Sequence, residues 1–72
     1  MMLTGADLKK RLRGLTDGES LVVEGIEYTS IDGDLHVESS DWVGHLDRED
    51  LEDEFEDATV YDVNYTGAHS WG

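Results

Sequence analysis

The chain has 72 residues, 18 Asp plus Glu against 5 Lys plus Arg, a formal net charge of −13, and neither Cys nor Pro. A length below the ~100–200 residues of a typical domain allows one small core and excludes a second lobe around an enclosed active site. Without Cys there is no disulfide framework or thiolate zinc site, and no apolar run approaches the ~18 residues of a membrane span or the order of a secretory signal, so a soluble, cytoplasmic domain held by packing alone is expected.

Leu3-Thr4-Gly5-Ala6-Asp7-Leu8 reads as a helix start. Thr4 can cap, Asp7 can answer it, and Leu3 and Leu8 are spaced as a hydrophobic staple. Leu8, Leu12 and Leu15 mark one face, Lys9 to Arg13 complement the negative helix end, and Gly14 is a stop, which predicts a helix over residues 5–13.

After the Thr16-Asp17-Gly18-Glu19 turn the pattern changes to alternation. Asp32-Gly33 suits the positive φ angles of a two-residue hairpin and predicts the pairs Ile31 with Asp34, Ser30 with Leu35, Tyr28 with Val37 and Ile26 with Ser39. Ile26, Tyr28, Leu35 and Val37 then share one face, and Glu27, Thr29, Asp34, His36 and Glu38 the other. Upstream, Leu21 and Val23 extend the apolar alternation, with Gly25 open to two readings, a second tight hairpin or a bulge in one long strand. Residues 39–44 read as a loop, in which Trp42 is a lid on the core or a contact anchor.

A second helix is expected from Asp47, with an Asp47 cap, a Leu46 to Leu51 staple and a narrow apolar stripe of Leu51, Phe55 and Ala58. Residues 59–66 return to alternation as a final strand. The expected fold is α+β: a small antiparallel sheet of three to four strands with two helices on one face, in the order α-β-β(-β)-α-β, as one domain over residues 1–66. Residues 67–72, with His69 and Trp71, read as a flexible tail.

The charge is unevenly placed. Residues 1–15 carry +3, whereas residues 16–72 hold seventeen acids and one base, Arg48, for −16. High net charge raises disorder as an alternative, but the periodic apolar residues argue for a folded domain. Residues 47–57 contain eight acids, Asp47, Glu49, Asp50, Glu52, Asp53, Glu54, Glu56 and Asp57, and as a helix would hold nine like-charged neighbours. At ~0.2–0.5 kcal/mol each, that repulsion costs about 2–4 kcal/mol at low salt.

Acids four apart on a helix rise about 6 Å along its axis, close to the phosphate spacing of a nucleic-acid strand. In size, absence of Cys and the acidic run Asp47 to Asp57, the chain resembles small acidic phage-type inhibitors of host defence, the anti-restriction and anti-CRISPR nucleic-acid mimics. The basic segment Lys9 to Arg13 departs from that pattern. The resemblance implies a protein that blocks a basic nucleic-acid-binding complex, such as a host defence effector, in the host cytoplasm, with the eight acids as its contact residues. The alternative is salt adaptation: at ~1 M salt the screening length falls to about 3 Å and the repulsion largely disappears.

Other readings are plainer. The run Lys9 to Arg13 reads as a solvated helix face that can also pair with acids, and the surrounding negative charge opposes direct nucleic-acid binding. His36, His45 and His69 are 9 and 24 residues apart. They match no compact ligand spacing and read as surface histidines without a metal. No catalytic residues and no cofactor are expected, because nothing supplies a pocket with a positioned acid-base pair.

Overall fold

The computed structural model describes residues 1–65. Strand β1 (Met2–Thr4) runs directly into helix α1 (Gly5–Arg13). The expected helix forms with the expected cap: Thr4 is extended and its Oγ1 accepts from the Asp7 amide at 3.3 Å. Leu8 and Leu12 are fully buried on its inner face, and Leu15 follows them into the core.

Next come β2 (Ser20–Val23), β3 (Ile26–Ile31) and β4 (Asp34–Glu38). Asp32 and Gly33 take φ of 51° and 90°, and the turn sets the expected register of Ile31 with Asp34, Ser30 with Leu35 and Tyr28 with Val37. The ladder stops at Glu27 with Glu38, so the expected pair of Ile26 with Ser39 does not form. The Gly25 ambiguity resolves as a tight hairpin. Glu24 and Gly25 have φ of 51° and 84°, and Val23 pairs with Ile26. Glu24 bears the left-handed geometry while holding the next strand, donating its amide to the Asp62 carbonyl at 2.9 Å and accepting the Asp62 amide on Oε2 at 2.6 Å.

The expectation of three to four strands is overturned. The sheet has six: the expected final strand forms as β6 (Val60–Tyr65), and β1 and β5 (Val43–Leu46) are the additions, in the antiparallel order β1-β6-β2-β3-β4-β5. The two strands that local reading passes over are the two edges. Met2–Thr4 doubles as the helix entry and is extended by pairing with β6, while Val43–Leu46, read as loop end and helix staple, is extended by the free edge of β4. Neither segment carries enough strand-forming sequence to announce itself; partner strands supply the order.

The second helix is also corrected. Residues 48–50 form a 3-10 turn, and α2 is the single turn Leu51–Glu54. Asp47 precedes that turn but makes no side-chain cap bond. Phe55 leaves the helix at φ −128° and ψ 135°, which turns its ring into the core and leaves Ala58, expected on the apolar stripe, exposed. The carbonyls that follow satisfy another helix: Asp57 and Thr59 accept the Ala6 and Gly5 amides at 3.3 and 2.8 Å. A Cβ at Gly5 would run into the Glu56 carbonyl, so this close approach requires glycine.

One sheet face is the core face. Leu21, Val23, Tyr28, Leu35, Val37 and Val63 meet Leu8 and Leu12 of α1, Leu51 of α2 and Phe55 just beyond it. Phe55 stands edge-on between Tyr28 and Tyr61, with ring centroids 5.8 and 5.2 Å apart. Trp42 is no lid, being 51% exposed beside Gly44. The expected tail with His69 and Trp71 lies outside the described residues. Among the described residues no helix is long and apolar enough to cross a membrane.

Candidate functional site

The acidic segment 47–57 is an arm across α1 and the core face, held by three kinds of contact. Apolar burial of Leu51 and Phe55 is the first. Arg48 is the second: its guanidinium donates to the Arg13 carbonyl at 2.9 Å, the Leu15 carbonyl at 3.3 Å and Ser30 Oγ at 2.9 Å. Those carbonyls lie at and beyond the end of α1, where a cation also meets the negative end of the helix dipole. Arg48 Nε is buried without a hydrogen-bond partner among the described residues.

The third contact is the pairing of the basic run with acids, and it departs from a solvated face at Lys9 alone, since Lys10, Arg11 and Arg13 are exposed. Lys9 is buried, 3% exposed, and its Nζ lies 2.6 Å from Asp57 Oδ1 and 3.2 Å from Glu52 Oε2. Arg13 reaches the other oxygen of Glu52 at 2.7 Å. The Asp57 hydrogen bond holds the Lys9 ammonium above the usual lysine value against the opposing effect of burial, with Glu52 adding to it. The Arg13 hydrogen bond, then that of Lys9, holds the Glu52 carboxyl below the usual glutamate value. Alternation within α1 explains the split: Lys9 falls beside buried Leu8 and Leu12, whereas Lys10 is exposed.

The eight expected contact residues are therefore not one row. Glu52 and Asp57 are bound to α1. Asp47 lies 3.8 Å from His45, and Glu56 is engaged with Thr59 and, through its amide, Tyr61. Glu49, Asp50, Asp53 and Glu54 are exposed and have no ion pair among the described residues. A row rising evenly along three helical turns does not exist, because α2 ends after one. What the arm offers is a short group of unpaired carboxylates fixed at its base by Lys9, Arg13 and Arg48.

Glu54 also marks where the arm meets the sheet. Burial, then the Glu54 carboxylate, pushes the Tyr28 hydroxyl up to about 12. Glu54, Tyr28, Val37, Trp42, His45 and Leu46 line a recess of ≈ 130 Å³. The histidines read as unrelated by spacing include one adjacent pair, since His36 faces His45 across the β4–β5 ladder. Helix and loop spacings could not reveal this, because the interval is set by the connection between two strands. Comparison with protein-family models, curated proteins and solved structures found no match.

Proposed function

We propose that the chain is a binding protein whose acidic arm occupies a basic, nucleic-acid-binding surface and competes with nucleic acid there. The observation that supports this reading is the division of labour in the arm. The buried lysine and two arginines hold its base, while Glu49, Asp50, Asp53 and Glu54 face solvent unpaired. With the backbone of the arm held in this way, meeting a cationic groove costs side-chain freedom but little backbone ordering, and displacement of nucleic acid from Lys and Arg sites is the expected action. A host defence nuclease complex is the specific partner class in this proposal.

The test is displacement of labelled duplex DNA from purified restriction and CRISPR effector complexes at physiological salt. The chain is expected to release DNA from at least one, and the Glu49→Lys, Asp50→Lys, Asp53→Lys and Glu54→Lys quadruple variant to release none while remaining folded by circular dichroism. Equal displacement by that folded variant, or none by the parent chain, overturns the reading.

Salt adaptation is the second reading, favoured by a different observation: all 18 acids are exposed or half-buried, and they extend beyond the arm to Glu27, Asp34, Glu38 and Asp62 on the sheet. It predicts that the chain is unfolded at low salt and folds as salt approaches molar concentration, where surface repulsion is screened. Mimicry predicts a folded chain at low salt and a complex that weakens as salt rises.

A further inference from the structure

We propose that Asp34, His45 and Asp47 form a binding site for zinc(II) on the side of the sheet away from the core. One ligand atom from each of the three lies within 4.8 Å of the others. Asp34 begins β4, His45 lies on β5 and Asp47 follows the end of β5. The β4–β5 register, with Leu35 opposite Leu46 and His36 opposite His45, brings the three side chains to one corner of the sheet.

The donor set has a chemical preference. One imidazole nitrogen and two carboxylates suit a first-row divalent cation, and the imidazole favours zinc over the hard ions calcium and magnesium. In a tetrahedral zinc site with bonds near 2.1 Å, neighbouring ligand atoms lie about 3.4 Å apart. His45 Nε2 and Asp47 Oδ1 are already 3.8 Å apart. All three residues are exposed, which leaves their side chains room to rotate toward a common ion. Asp47 is available for it because its carboxylate makes no cap bond to the following turn.

A second feature lies beside the triad. Asp34, Leu35, His36, His45 and Ile31 line a depression of ≈ 290 Å³, so two of the three ligands, Asp34 and His45, border a concavity. It leaves room for water at the open coordination position, and it places His36, whose Nε2 is 3.7 Å from Glu38, as the adjacent imidazole. The imidazole distinguishes this site from the arm, where carboxylates alone would hold cations diffusely. A bound ion would also tie the start of the arm at Asp47 to β4, so zinc should stabilise the fold by linkage.

Calorimetric titration of the full chain with zinc chloride in excess magnesium tests the site, with cobalt(II) absorption reporting the ligand field. One zinc per chain, a raised melting temperature and cobalt bands of a nitrogen-oxygen site are expected. His45→Ala should weaken zinc binding by at least about tenfold, whereas Asp53→Asn, in the arm, should leave it unchanged. Circular dichroism establishes that both variants are folded. Several weak equivalents, displacement by magnesium, or equal affinity in folded His45→Ala overturns the proposal.

Discussion

The Lys9 ammonium lies 2.6 Å from the Asp57 carboxylate, with 4% of the lysine side chain exposed against 72% of the aspartate. The base is inside and the acid outside, so the ion pair is also a tether between α1 and the arm. Its desolvation falls on one partner only, and Asp57 keeps much of its water. The most basic segment of the chain thus serves the most acidic one.

Neighbouring acids in the arm should respond oppositely to neutralisation. Glu52→Gln removes the partner of Arg13 and one partner of Lys9 and lowers the melting temperature at pH 7. Asp53→Asn removes an unpaired charge from a −13 surface and leaves it unchanged or raises it. The sign of the pH dependence follows from the lowered Glu52 value: its contribution is present above the ordinary 4.5 and is lost as pH falls through the folded value. The difference between parent and Glu52→Gln should therefore close on acidification below 4.5, as read by thermal melts over that range.

Gly5→Ala tests the contact between α1 and the return of the arm. The added methyl meets the Glu56 carbonyl, which must move and take with it the nearby carbonyls that accept α1 amides. A loss of about 1–3 kcal/mol in urea unfolding is expected, the range for overpacking a tight site.

Arg48 is bound by shape as well as charge. Arg48→Met removes three hydrogen bonds and leaves the Arg13 and Leu15 carbonyls without that donor, for a loss of about 1.5–3 kcal/mol in urea unfolding. Arg48→Lys should recover only part of this, because an ammonium on one stem does not reproduce the planar fork that spans the carbonyls and Ser30.

Alkali should expose the burial of Tyr28. Its folded value near 12 lies above the ordinary 10.0, so the folded state holds the proton more tightly, and stability is present below 10.0 and falls as pH rises toward 12. Lys9, also raised, contributes in the same direction above 10.5. Tyr28→Phe should melt like the parent at pH 7 and lose less stability between pH 10 and 12, since the tyrosine contribution is gone and that of Lys9 remains.

Local chemistry was enough for α1 and the β3–β4 hairpin, but not for the turn at Gly25. The Thr4 cap, the leucines at 8, 12 and 15, and Asp32-Gly33 each act within a few residues, so their outcome was legible without the rest of the chain. The arm was misread for the same reason. Asp47 to Asp57 has helical grammar, but Phe55 is drawn between Tyr61 and the remote Tyr28, and Asp57 toward the remote Lys9. The pairing of His36 with His45 was equally hidden, since it needs β5, a strand formed by the edge of β4.

The sequence by itself determined the amount of charge, the absence of thiol chemistry, the first helix and the register of the β3–β4 hairpin. Those are matters of composition and of interactions that close within one turn. Tertiary structure decided which acids remain unpaired, where the basic residues go, and that His36 and Asp34 on one strand lie beside His45 on the next and Asp47 just after it. Burial and strand pairing join residues far apart in the chain, and an ion pair or a metal site exists only once they have been joined.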